Sequence, residues 1–187
     1  AAREAYGGRI DILFNCAGGS VATDQPVTDV DMDLWQHTMD LDLKGPFLCC
    51  RHVIPAMIAG GGGAIVNVAS GAALRGTFPA HIYTAAKGGL LSFTRALAGS
   101  YSRKGVRANV ICPGLIMSDR IKARYGKVPN DKAAAQAASV NSDAMNRYPF
   151  GQGEPEDIAN IALFLASPES RMINGAVIPA EGGMHAY

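Results

Sequence analysis

Four short apolar runs limit what this chain can fold into: residues 10–15, 64–69, 106–112 and 176–179. Each is too short for a helix, and its apolar residues are nearly continuous rather than alternating, as expected of strands covered on both faces. Helical stretches separate them. Residues 28–59 carry Leu34, Met39, Leu41, Leu48 and Met57 among their apolar positions. They open at Thr28 with Asp31 three residues later, an aspartate variant of the capping box. Pro46 and Pro55 predict a kink or break there. Residues 80–102 place Leu90, Phe93 and Leu97 at helical spacing, while Ala85, Gly88 and Gly89 leave a slim surface that predicts close approach of another backbone. Pro155 suits the first turn of a third helix over 156–166. Residues 1–8 read as the end of a helix closed by Gly7-Gly8. The glycines of 60–63 lead into a strand rather than a helix N-terminus, so they read as a connector, not an anion site. Strand and helix in alternation predict a parallel sheet with helices on both faces, in one domain over 1–187 without repeat or linker.

Composition narrows the function classes. Hydrophobic residues make up 48% of 187 and charged residues 18%, which suits a substantial core and excludes a disordered chain. A formal net charge of +1 with no dense Lys/Arg run gives no footprint for nucleic acid. No apolar stretch approaches the roughly 18 residues of a membrane span, and the first residues have no apolar core of a signal peptide. Cys16, Cys49, Cys50 and Cys112 lack metal-ligand spacing. The expectation is reduced, buried thiols in a cytoplasmic protein, with no metal.

In open parallel sheets, ligands bind outside the carboxyl ends of the strands. Asn15-Cys16, Ser70 and Pro113-Gly114 all fall at such ends. Tyr83 and Lys87, at i and i+4, share a helix face. A cation beside a phenol favours the phenolate and lowers its pKa from about 10, towards the range useful for general acid–base catalysis. Ser70 could hold a reacting oxygen by hydrogen bond. An ordinary exposed Tyr/Lys pair is the alternative for that spacing alone. His81 could face substrate or be a solvated loop residue, and Trp35 reads as helix packing. Residues 115–150, the least regular part, read as a lid over the substrate, with Met117, Tyr125, Met145 and Tyr148 as candidate liners.

Taken in order, these segments resemble the short-chain dehydrogenase/reductase family over essentially the whole chain. Asn15-Cys16-Ala17-Gly18 is similar to the family's Asn-Asn-Ala-Gly turn. Ser70, Tyr83 and Lys87 match its serine and Tyr-x-x-x-Lys motif at the family spacing. The stretch from Asn109 to Pro113-Gly114 resembles its Asn-x-Ile-x-Pro-Gly strand end, and Ser118 stands where a cofactor-binding threonine is common. Glu154-Pro155-Glu156-Asp157 and Glu181-Gly182-Gly183 resemble its late helix and closing strand. The resemblance implies a Rossmann-like, doubly wound sheet and hydride exchange between NAD or NADP and a small alcohol or carbonyl substrate. It implies Tyr83 as proton donor and acceptor, Ser70 on the substrate oxygen, and Lys87 on the Tyr83 pKa and the nicotinamide ribose. Asn15, Ala17, Gly18, Pro113, Gly114, Ile116 and Ser118 would face the cofactor, with Tyr83 and Lys87. A homodimer or homotetramer through the long helix and the 80–102 helix is implied as well.

Two departures qualify that picture. Asp42 stands where the family carries a relay asparagine, and a carboxylate cannot donate the amide N–H. Asp42 is therefore either part of an altered catalytic relay or a plain helix acid facing solvent. The family's first strands and glycine-rich phosphate turn have no counterpart here, so the chain reads as N-terminally incomplete. That leaves the 10–15 strand as an exposed apolar edge. A non-catalytic protein using this fold to bind or scaffold a partner is the competing expectation.

Overall fold

The computed structural model describes residue 4 and residues 7–76, 78–125 and 150–186. Strands β1 (Ile12–Asn15), β2 (Gly63–Val68), β3 (Val106–Pro113) and β4 (Val177–Ala180) form one all-parallel sheet in the order β1-β2-β3-β4. Ile12 pairs with Ala64, Val66 with Asn109, and Ile111 with Ile178. The two central strands carry the most continuous apolar runs and are the most buried, because helices cover both of their faces.

On one face lie α1 (Met32–Met39), α2 (Gly45–Ala59) and α3 (His81–Tyr101). Cys50, Ile54 and Met57 of α2 and Leu97 of α3 pack over Ile65, Val106 and Ala108, while Leu90 and Leu91 pack over Ala69, Val110 and Cys112. On the other face α5 (Pro155–Ala166) sets Ile158 and Leu165 against Val66, Ile111 and Ile178. Met57, Leu90, Ile111 and Leu165 are wholly buried, and each such side chain contributes roughly 1.5–3 kcal/mol. A short helix α4 (Asp119–Tyr125) follows β3.

Several sequence expectations change here. Asp31, not Thr28, caps α1, its carboxylate accepting from the Asp33 N–H at 3.0 Å. A turn closed by Asp29 N–H on the Pro26 carbonyl comes first, and Thr28 donates to Asp29 instead. Pro46 does not break the helix. A π-helical turn, Asp40–Lys44, widens the backbone ahead of it, and the Gly45 N–H reaches the Asp40 carbonyl. Pro46 has no N–H to lose to that widened ladder. Gly89 meets the Leu43 side chain rather than a backbone, and nothing lies close to the Cβ position of Gly88.

Cys50 and Cys112 are buried, but Cys16 and Cys49 are exposed, correcting the expectation of four buried thiols. Cys16 lies past the end of β1, and Cys49 points outward next to the inward Cys50. Gly7 and Gly8 form a turn with φ of 62° and 87°, while most of the expected helix before them lies outside the described residues. So does most of the expected lid, with Met145 and Tyr148. Strand β1 is an edge, and its Ile12 and Phe14 are 53% and 45% exposed because α5 stops short of it. Among the described residues, no helix is long and apolar enough to cross a membrane, and no group of His, Cys, Asp and Glu could hold a metal ion.

Candidate active site

A cavity of about 410 Å³ opens at the carboxyl ends of the strands, and Ser70, Tyr83 and Lys87 all line it. Ser70 follows β2 directly. Its Oγ accepts from the Ala72 N–H at 3.1 Å, so the residue caps the one-turn 3₁₀ helix Gly71–Leu74 and is held in place by it. Tyr83 lies in the first turn of α3. That helix has no cap of its own at Ala80. Instead the buried carboxylate of Asp24, far back in the chain, accepts from the Ile82 and Tyr83 N–H groups at 3.2 and 2.8 Å. His81 accepts from the Val27 N–H at 3.0 Å through Nδ1, pinning the same loop. His81 is thus a structural clasp in an exposed setting and does not line the cavity.

Lys87 is 3% exposed. Its ammonium lies 5.6 Å from the Tyr83 ring centroid, donates to the Val68 carbonyl at 3.0 Å, and pairs with Asp42 Oδ1 at 2.9 Å. Asp42 is fully buried, which corrects the solvent-facing alternative. The same Oδ1 accepts from the Gly19 N–H at 3.0 Å, while Oδ2 is buried without a hydrogen-bond partner. One carboxylate oxygen therefore ties the turn after β1 to the α3 lysine.

The Tyr83 phenol titrates above its ordinary value. Burial is the main cause; a hydrogen bond with Ser70 opposes it, the Asp42 charge adds to it, and Arg120 opposes it. The expected lowering by Lys87 is thus corrected: its ammonium is already balanced by Asp42, so little net positive charge faces the phenol.

Gly18 and Gly19 line the cavity with φ of 135° and 145°. A Cβ on Gly18 would fall on the Asp42 carboxylate, and one on Gly19 on the Arg120 guanidinium. Both glycines are required by conformation, and Gly18 also by the buried Asp42 carboxylate; the exposed Arg120 side chain can move away from Gly19. Pro113, Gly114, Ile116 and Ser118 also line the cavity. Ile116 bridges to Gly153, with Met117 N–H on the Gly153 carbonyl at 2.8 Å and Gly153 N–H on the Leu115 carbonyl at 3.0 Å, which fixes this wall. Met117 itself does not line the cavity, and neither do Asn15 and Ala17. Asn15 turns into the core, where its Nδ2 donates to Asn67 Oδ1 at 2.8 Å, and Asn67 Nδ2 donates to Thr94 Oγ1 at 2.9 Å. Sequence reasoning missed Asp24, Arg75 and Arg120, and it placed Glu181 in the closing-strand motif without a role in the site, where the buried carboxylate meets His185 at 2.6 Å. The first three belong to no local spacing pattern and meet the site only through the fold.

The chain is similar to proteins of one kind. A family profile described as enoyl-(acyl carrier protein) reductase matches residues 1–185. A "probable short-chain type dehydrogenase/reductase" of Bradyrhizobium diazoefficiens is 35% identical over 186 residues, covering 98% of this chain and 63% of the relative. An uncharacterised oxidoreductase of Bacillus subtilis is 38% identical over 184 residues, covering 96% of this chain and 64% of the relative. The chain thus spans a little under two thirds of the length of these relatives. A short-chain type dehydrogenase/reductase from Mycobacterium ulcerans superimposes with a TM-score of 0.85 at 32% identity, covering 99% of this chain and 64% of that one. An oxidoreductase of the same family from Burkholderia thailandensis gives a TM-score of 0.83 at 31% identity, covering 100% of this chain and 68% of that one. With its parallel sheet flanked by helices on both faces, the chain belongs to the short-chain dehydrogenase/reductase family of oxidoreductases.

Proposed function

We propose that this chain carries the proton-handling side of an NAD(P)-dependent oxidoreductase acting on a small alcohol or carbonyl substrate. The observation that carries the reading is the meeting of Ser70, Tyr83 and Lys87 in one cavity beside the side-chain-free Gly18-Gly19 turn. A nicotinamide cofactor would supply or accept the hydride.

The residues present fit its nicotinamide end. The two glycines present backbone without a side chain to the cavity, Pro113, Gly114, Ile116 and Ser118 provide a wall, and Lys87, which bonds Asp42 and the Val68 carbonyl, has a third donor for a ligand hydroxyl. Asn15 acts through the core, bonded to Asn67, rather than by touching a ligand. Tyr83 gives or takes the substrate's hydroxyl proton, and Ser70, lining the same cavity, steadies the substrate oxygen. Lys87 holds the site's charge in balance with Asp42.

Tyr83→Phe is expected to lower turnover by roughly 10²- to 10⁴-fold, the range of one lost acid–base group, with unchanged circular dichroism. Turnover near the parent rate overturns the role.

The Asp42–Lys87 pair is the one feature that favours a non-catalytic protein, because it offsets the charge the phenol needs. Titration with NADH and NADPH, read by nicotinamide fluorescence on this chain and on an upstream-extended chain, separates the readings. A well-folded extended chain that binds neither nucleotide supports the scaffold. Exposed Leu41, Phe47 and Leu48 along the π-helical turn and α2 support a homodimer or homotetramer as the assembled form.

A further inference from the structure

Arg75 has no part in the chemistry above, yet it lines the same cavity five residues beyond Ser70. Its Nε is buried without a hydrogen-bond partner, and one Nη donates to the Met184 sulfur, a weak acceptor. Among the described residues no carboxylate pairs with it. The acids nearest the site are committed elsewhere: Asp42 to Lys87 at 2.9 Å, and Glu181 to the His185 ring at 2.6 Å and to the His185 N–H at 3.1 Å. Arg75 thus brings a partly desolvated positive charge with no direct carboxylate partner among the described residues to a cavity that Phe78, Leu115 and Met184 also line. Such a charge is costly to hold unless an anion meets it. A guanidinium presents a fork of donors that fits a carboxylate in two places at once.

We propose that Arg75 anchors a substrate carboxylate, so that the substrate is a small hydroxy or oxo acid; this rests on the oxidoreductase reading above. The carboxylate lies on Arg75 and is unchanged by the reaction, while the hydroxyl lies at Ser70 and Tyr83. In the oxidative direction Tyr83 would take the hydroxyl proton and a bound oxidised nicotinamide would accept the hydride from the carbinol carbon, leaving the oxo acid. In the reductive direction both would return. Arg75 is the specificity-determining residue of the cavity.

The test compares short α- and β-hydroxy acids with their methyl esters. Calorimetric titration of the cofactor-loaded, upstream-extended chain, and of this chain alone, is expected to show the acids binding at least about tenfold tighter than the esters, the effect of one charge-assisted pair. Arg75→Met brings that ratio close to one, Arg75→Lys restores part of it, and Arg120→Met leaves it in place. Tyr83→Phe also leaves it in place, since it removes a proton carrier and not the anchor. Equal binding of acid and ester by the parent, or a preference that survives Arg75→Met, or one that disappears with Arg120→Met instead, overturns the proposal. If Arg75→Met does not fold, the parent's acid-to-ester ratio and its behaviour in Arg75→Lys and Arg120→Met still decide. The ratio of kcat/KM for acid and ester, followed by nicotinamide absorbance, keeps the two readings apart. An Arg75-dependent binding ratio without hydride transfer to any substrate removes the oxidoreductase reading and leaves the carboxylate site. Turnover of acids and esters alike removes the carboxylate site and leaves the oxidoreductase.

Discussion

At Asp42 a single atom has two partners and its twin has none. Oδ1 takes both the Gly19 N–H and the Lys87 ammonium, and Oδ2 is buried alone. Changing that carboxylate to an amide keeps the Oδ1 contacts and removes the charge. Asp42→Asn is therefore expected to lower stability by roughly 1–3 kcal/mol, because the buried lysine then meets a dipole instead of an anion. The same change is expected to move the alkaline rise of the oxidative rate to lower pH. Asp42 holds the Tyr83 pKa up, and removing its charge frees Lys87 to favour the phenolate. A chemical denaturation series and a rate–pH profile of the active form check the two effects. A midpoint that stays put or rises overturns the electrostatic account. Ser70, Tyr83 and Lys87 were legible in the sequence because their spacing is short and tied to one strand end and one helix face. The state of the Tyr83 phenol was not legible, since it depends on a carboxylate 41 residues from it in the chain.

At the scale of elements, helix α3 depends on a distant group for its start. Asp24 supplies two acceptors to backbone N–H groups that the helix cannot satisfy itself. Asp24→Ala is expected to cost about 1–2 kcal/mol, the usual worth of such a cap, and to slow turnover by loosening Tyr83. Denaturant unfolding reads the first effect, and Asp24→Asn should recover only part of it, because an amide offers one acceptor oxygen and sets its NH2 against the other N–H.

Helix α2 and strand β3 supply a second prediction, on pH. Burial pushes the Cys50 and Cys112 thiols up to about 11 from 9.0. Below pH 9 both are protonated in the folded and unfolded chain and the stability is complete. Above it the unfolded chain ionises first, so stability falls as pH rises towards 11, by about 2 kcal/mol for each thiol. Tyr83, also raised, acts in the same direction at higher pH. Unfolding followed between pH 8 and 11 should show this slope flatten in the Cys50→Ala, Cys112→Ala chain. A slope that the double substitution leaves intact overturns the assignment. Sequence patterning gave the strands and helices well. It missed the cap of α3 because long-range caps leave no local signature, and it placed the start of α1 too early because Thr28 met an adjacent aspartate first.

Over the whole molecule, the parallel sheet and its helical layers were legible because the apolar runs are continuous and the helices between them long. The side taken by α5 was not. Strand β4 extends the sheet in the same direction as β2 and β3, yet its helix packs on the opposite face. Its crossover therefore has the opposite hand to the two before it, against the general preference. Among the described residues, nothing packs over Ile12 and Phe14 of β1 on the α5 face. Ile12→Lys is expected to raise the concentration at which the chain associates, read by light scattering, with little change in stability, because a lysine on a free edge opposes pairing. Unaltered association in that variant places the contact elsewhere.

Phe14 belongs to that face and also to the cavity wall. A segment or molecule laid over the edge of the sheet and a ligand in the cavity would both meet that side chain. Any coupling between them through Phe14 would be reciprocal, each altering the affinity for the other by the same factor.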